Sequence, residues 1–366
     1  MNNKTRTSLA LLLVFALALS GCWSRREMES LAYILVLGID EGKNGGVTIH
    51  AQVGTPAQSK ESGGSGEEPA FNTLTTEGRN VTEAVANLFL KSTKIPDLSH
   101  LQLLIFSQQL ASSGLQQVLD FLRRDYSLRE NVRVAVAEGK VEDILKVEEQ
   151  LSNQPALAII NQFLINTRRS TVVESDLKDL ISHILEPDRQ AILPVIGASE
   201  DRFTLGKSAI FDGYKMAATI DKPKTLGLQL WRNKIRSGQV TIPMFSPGEV
   251  VTFLIINSDT ALKVRWQNNK LHVRSDVKIS VDIHEMEDVE AGELKKRISH
   301  YLVNRMRETL QVAQDEGIDF LGLSALLRRQ DPDTWRREHK RWPEVLRQAE
   351  YDLRCVVHIR GQGPIR

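Results

Sequence analysis

The sequence predicts a multi-domain α+β protein, and three observations carry that reading. Leu271, Val273, Val277, Ile279, Val281 and Ile283 alternate with His272, Arg274, Asp276, Lys278, Ser280 and Asp282, the period of an antiparallel strand with one buried face. A helix from about Glu290 to Asp315 follows, its stripe made of Leu294, Ile298, Tyr301, Leu302, Met306, Leu310 and Ala313 with Lys295, Lys296, Asn304, Arg307 and Gln311 outside. A one-faced sheet beside a one-striped helix makes a two-layer C-terminal domain. The third observation is that the first half mixes short apolar strands with amphipathic helices. A chain of 366 residues also exceeds what one hydrophobic core usually holds.

At the N-terminus, residues 1–21 read MNNKTRTSLALLLVFALALSG. Lys4 and Arg6 make a short positive segment, Leu9–Leu19 an apolar run, and Ser20 and Gly21 small residues ahead of Cys22, the layout of a secretory signal. Eleven apolar residues rise only about 16 Å as a helix, against a hydrocarbon core of roughly 30 Å. They are too few for a retained membrane span. Leu19-Ser20-Gly21-Cys22 resembles the lipobox of bacterial lipoproteins. That resemblance implies a diacylglyceryl thioether on the Cys22 thiol, cleavage before Cys22 and N-acylation of the new terminus.

Beyond Cys22, Leu31–Ile39 is almost wholly apolar, a strand covered on both faces. Val47–Val53 is a second strand, reached through the turn-rich residues 41–46. Residues 54–70 are small, polar and Gly-rich, a surface loop. Asn80–Leu90 carries a helical stripe of Val81, Ala84, Val85, Leu88 and Phe89. Leu101–Phe106 is a strand, followed by a helix with Leu110, Leu115, Val118, Leu119 and Leu122, and Val132–Val136 closes this α/β region. Three helical segments follow without a strand between them, Val141–Glu148, Ala156–Arg168 and Ser175–Leu185, then a strand over Ala191–Ile196. The expected division is a signal peptide at 1–21, an α/β domain at 22–143, a mostly helical middle domain at 144–200 and an α+β domain at 201–366. In the last, Val250–Ile256 and Leu262–Trp266 flank the alternating strand. Leu353–Ile359 is a late strand with Cys355 on its inner face.

Composition narrows the function. The chain has 47 basic and 46 acidic residues. Removing the signal takes away Lys4 and Arg6, so a nearly neutral chain gives no bulk attraction to nucleic acid. With Cys22 acylated, Cys355 is the other cysteine of two and has no partner for an internal disulfide. No reaction chemistry emerges. Gly206-Lys207-Ser208 lacks the first glycine of a phosphate-binding loop, since Asp201 stands there. There is no H-E-x-x-H and no G-x-S-x-G, and the eight histidines show no metal-ligand spacing. Arg336, Arg337, Lys340 and Arg341 around Trp335 and Trp342 read as a solvated helix face over two inward indoles. No catalytic residue, metal ligand or cofactor is expected apart from the covalent lipid on Cys22.

Several stretches resemble the Ger(x)C family, the C subunit of nutrient germination receptors in endospore-forming bacteria. They are Cys22-Trp23-Ser24-Arg25-Arg26-Glu27, Gly38-Ile39-Asp40 at the end of the first strand, His100–Phe106 with Leu110–Arg124, and Leu205–Phe211 followed by Tyr214–Ile220. Thr225–Gly238 and Ile318–Trp342 are the most specific of the later ones. Lys207-Ser208 and Leu321-Gly322 depart from the family pattern without touching a catalytic role. The resemblance implies a three-domain mature protein on the outer face of the spore inner membrane, partnered with a multi-spanning A subunit and a permease-like B subunit. The alternative is a solute-binding lipoprotein feeding a transporter, which would show two similar βαβ lobes around a cleft.

Overall fold

The computed structural model describes residues 30–54, 71–125, 127–147, 155–186, 188–199, 202–243, 249–285 and 290–362. Two sheets organise them. β1 (Leu31–Glu41), β2 (Val47–Gly54) and β3 (Phe71–Gly78) form an antiparallel meander. After α1 (Val81–Lys91), the short β4 (Ile95–Asp97) pairs in parallel with the start of β1. β5 (Leu103–Ser107), β6 (Arg133–Ala137) and β7 (Ile192–Ser199) extend the sheet in parallel from β1. β8 (Arg202–Asp212) and β9 (Lys215–Ile220) then return to antiparallel pairing. The strand order is β3-β2-β1-β5-β6-β7-β8-β9.

Alternation in the parallel centre assigns each helix to a face. Leu104, Phe106, Val134 and Val136 share a core with α1, α2 (Gln108–Ser113), α3 (Gln116–Arg124) and α6 (Leu177–Leu185). Leu103, Ile105, Ala135 and Ala137 point the other way, into a core with α4 (Val141–Leu145) and α5 (Pro155–Arg168). The helices between 144 and 200 therefore cover opposite faces of the sheet. Pairing also continues from β7 to β8, so the boundary expected at residue 200 does not coincide with a break in the sheet. Hairpin pairing is local, but nothing in the β8 and β9 sequences states which sheet they join.

Two local readings change. The helix expected after β5 is split at Gly114, whose φ of 128° suits glycine. There the Leu115 N–H leaves helical bonding and donates to the Tyr214 carbonyl at 2.9 Å. On α1, Val81, Ala84 and Leu88 are buried, whereas Phe89 stands outside the core.

The C-terminal sheet runs β10 (Gly238–Pro243), β11 (Val250–Gln267), β12 (Lys270–Glu285) and β13 (Glu350–Gln362). The two neighbours expected for the alternating strand are one continuous strand, β11, joined to β12 through Asn268 and Asn269. Both residues have positive φ, as a tight hairpin turn requires. Leu271, Val273, Val277, Ile279, Val281 and Ile283 are buried beneath α8 (Ala291–Glu316), whose Leu294, Ile298, Leu302, Met306, Leu310 and Ala313 share their core. The expected period is therefore observed. β13 runs parallel to β12, because the chain reaches it through α8 and three short helices, a crossover rather than a hairpin. Those helices are α9 (Leu323–Gln330), α10 (Pro332–Glu338) and α11 (Trp342–Gln348). Cys355 packs against this core, and burial pushes its thiol up to about 12, which keeps it protonated and unreactive.

α7 (Lys222–Trp231) crosses α8 closely and joins the two halves. The Trp231 indole N–H donates to the Met306 carbonyl at 2.9 Å, and the Thr309 hydroxyl donates to the Lys224 carbonyl at 2.8 Å. Gly227 makes the approach possible. A Cβ there would lie 2.3 Å from the Arg305 carbonyl oxygen.

Candidate functional site

Cys22, with Leu19, Ser20 and Gly21, lies outside the described residues. The structure takes up the chain at Ser30, eight positions after Cys22, and β1 starts one residue later. No helix among the described residues is long and apolar enough to cross a membrane.

Gly38-Ile39-Asp40 occupies the carboxyl end of β1, where ligands gather in many α/β sheets. Asp40 and His50 are both buried there. Asp40 Oδ2 lies 3.1 Å from His50 Nε2, His50 Nδ1 lies 3.0 Å from Thr75 Oγ1, and the Val141 N–H donates to Asp40 Oδ1 at 3.0 Å. Burial works to raise the Asp40 pKa, but His50, the Val141 N–H and Ser107 outweigh it and hold the carboxyl below its ordinary value. Ser107, Asp40 and His50 are the residue types of a nucleophilic triad in the wrong order. The carboxylate sits between hydroxyl and imidazole, whereas a triad needs the base between nucleophile and acid. The cluster instead fastens α4 to the sheet. Asp40 holds the first N–H of α4, and Val141 packs on Gly38, where a Cβ would fall 2.1 Å from Val141 Cγ1.

Next to this joint, beyond the ends of β6 and β7, is a cleft of about 350 Å³ whose lining includes Gln108, Glu138, Lys207, Thr219, Asp221 and Lys224. Its charges are paired: Lys207 Nζ to Glu138 at 2.5 Å and Lys224 Nζ to Asp221 at 2.7 Å. Lys207 belongs to Gly206-Lys207-Ser208, which the structure places within strand β8. Ser208 is turned inward, 3.0 Å from the Thr225 hydroxyl. No loop of backbone N–H groups is formed, so this is not a phosphate cradle.

The stretch Ile318–Trp342 is organised around Asp319, which the sequence did not single out. Its carboxylate accepts the N–H groups of Gly322 at 3.0 Å, Leu323 at 3.1 Å and Ser324 at 2.5 Å, and the Trp342 indole N–H at 3.1 Å. Burial pushes its pKa up to about 6 against the pull of these donors. Asp319 thereby caps α9 and ties α11 to it, while the Trp335 indole donates to Ser324 Oγ at 2.9 Å. Both indoles face inward, and the arginines between them face out. Among the described residues no group of three His, Cys, Asp or Glu side chains is placed to hold a metal ion.

Comparison with known proteins places this arrangement among relatives. Residues 24–198 match the spore germination protein N-terminal domain, and residues 206–363 match the spore germination B3/GerAC-like C-terminal domain. The chain is 24% identical to spore germination protein KC of Bacillus subtilis, covering 96% of this chain and 95% of that one. It is 24% identical to spore germination protein B3 of the same organism, covering 99% of each. The crystal structure of the GerBC protein superposes with a TM-score of 0.62 at 18% identity, over 92% of this chain and 100% of that one.

Proposed function

This chain belongs to the GerAC-like family of spore germination proteins, the C subunits of germinant receptors, and from that premise we propose that it is a lipid-anchored, non-enzymatic subunit docking on the A and B subunits. One observation carries the reading: the two family domains together span almost the whole chain from just beyond Cys22. The chain reaches the membrane through Cys22, carrying a diacylglyceryl thioether and an N-acyl group, and resides on the outer face of the spore inner membrane. Its role is to help hold or transmit the germinant-bound state through protein contacts. The inverted order of Ser107, Asp40 and His50, and the paired charges of the cleft, support a non-catalytic role. The solute-binding alternative calls for two similar βαβ lobes; the described residues make one nine-stranded sheet and one four-stranded sheet.

The test is Cys22→Ala in sporulating cells. The parent protein should yield a lipid-modified N-terminal peptide beginning at Cys22 by mass spectrometry and should co-purify with A and B subunits. The variant should lose the lipid and leave the membrane fraction. An unmodified mature N-terminus in the parent would refute the anchor, and absence of A and B subunits from the co-purified material would refute the docking.

A further inference from the structure

We propose that the corner formed by the end of α1 and the start of β4 rests on the membrane, with Phe89, Leu90 and Ile95 in the headgroup–acyl boundary of the bilayer; this builds on the Cys22 anchor proposed above. Leu90 is 84% exposed, Phe89 51% and Ile95 39%. The other large apolar side chains left exposed among the described residues, Ile165, Leu185, Val250 and Val356, stand on four different elements. Isolated exposed apolar residues are ordinary, but a cluster marks an interaction surface.

Two features make a lipid surface the occupant. The first is the place of the patch along the chain. Ile95 pairs in register with Leu31, the first residue of β1, and Ser30 lies only eight positions beyond Cys22. Eight extended residues span at most about 28 Å, so a lipid on Cys22 keeps this corner near the bilayer. The second is charge. Lys91 and Lys94 flank the patch, and neither has a carboxylate partner among the described residues. Lys91 Nζ bonds to the Thr75 carbonyl, at 2.6 Å, and Asp97, at the end of β4, accepts the Ser99 N–H at 2.8 Å. Apolar side chains flanked by lysine suit a surface carrying anionic headgroups. The lipid supplies attachment, and the patch sets which side of the protein faces down.

The test uses the full acylated chain in vesicles of phosphatidylcholine and phosphatidylglycerol. An environment-sensitive fluorophore is placed at Leu90→Cys or Ile95→Cys in a Cys355→Ser background. The control is Ile165→Cys on α5, which packs on the opposite face of the sheet. These side chains are exposed, so the labels leave the core intact. The labels at 90 and 95 should shift to the blue and be quenched by shallow spin-labelled lipid severalfold more than the label at 165. Equal quenching at all three positions would overturn the proposal. So would protection of the 90 label that appears only when A and B subunits are added, since the patch would then be a protein contact. Flotation separates the anchor from the patch. If Cys22 proves unacylated and the chain does not float, a hexahistidine segment ahead of Trp23, held on nickel-chelating lipid, restores the tether. Quenching at 90 and 95 on that tether supports the patch, and its absence refutes it.

Discussion

Replacing Gly227 by alanine separates what the sequence suggests from what the packing demands. Glycine inside a helix costs about 1 kcal/mol relative to alanine, so on propensity alone Gly227→Ala should stabilise α7. The crossing reverses the sign. The added Cβ would sit 2.3 Å from both the Arg305 carbonyl oxygen and Thr309 Oγ1, where ordinary contacts begin at 3.4 Å. The Arg305 carbonyl belongs to the backbone of α8 and cannot swing aside, so α7 must back away by about an ångström. Overpacking of this kind costs about 1–3 kcal/mol. Withdrawal also stretches the bond from the buried Trp231 indole to the Met306 carbonyl, and a buried unsatisfied donor costs a further ~1–3 kcal/mol. Setting about 1 kcal/mol of propensity gain against these terms leaves a net loss of about 1–5 kcal/mol. Urea unfolding of the chain from Trp23 onward, followed by circular dichroism and tryptophan fluorescence, measures it by linear extrapolation. Gly292→Ala is the internal control. It lies in the first turn of α8, its added Cβ would meet nothing closer among the described residues than Glu290 Oε1 at 3.4 Å, and it should gain up to about 1 kcal/mol. If both variants shift stability upward together, α7 and α8 are not in the contact described.

Periodicity made the C-terminal layer legible, because a strand of period two and a helix of period 3.6 each betray one apolar face. β12 and α8 accordingly pack as their alternation and stripe require. Pairing partners were less legible. Leu205–Phe211 and Tyr214–Ile220 read as a strand pair, yet their placement on β7 follows from contacts no local pattern encodes. The helices at 156–168 and 177–185 look alike as amphipathic segments, and only the alternating faces of β5 and β6 sort them to opposite sides. Glycine carried hidden information. Gly38 and Gly227 sit in stretches that resemble the family, but that each marks a close approach, of Val141 and of α8, emerges only in three dimensions. Asp319 was missed because an acidic residue three to five positions before a helix is an ordinary cap. What sets it apart is the fourth donor, an indole from twenty-three residues further on. The proposed lipobox is the reverse case, a candidate that rests wholly on residue order and lies outside the described residues.

Two further outcomes follow from the core and from its buried charge. Ile279→Ala and Leu302→Ala remove fully buried side chains from the sheet–helix core, and each should destabilise by about 2–5 kcal/mol. Lys278→Ala and Arg307→Ala, on the exposed faces, should stay within about 0.5 kcal/mol. Urea unfolding of the four variants tests the faces, and equal effects on both sides would refute the two-layer packing. The last concerns Asp40. Its carboxyl is held below the ordinary value by His50, the Val141 N–H and Ser107 despite burial. The folded chain therefore binds fewer protons at this site than the unfolded chain as pH falls past the unfolded value of about 3.9. The sign follows from linkage: the contribution is present in full above that value and is lost as pH falls through the depressed folded pKa. Asp40→Asn cannot ionise, so it should be less stable at neutral pH and should show a shallower loss of stability with acid. Unfolding free energies of parent and variant measured from neutral pH down to about 3 decide it. Parallel curves would mean that Asp40 is not linked to folding and that the joint between β1 and α4 is held by the fit of Val141 on Gly38 alone.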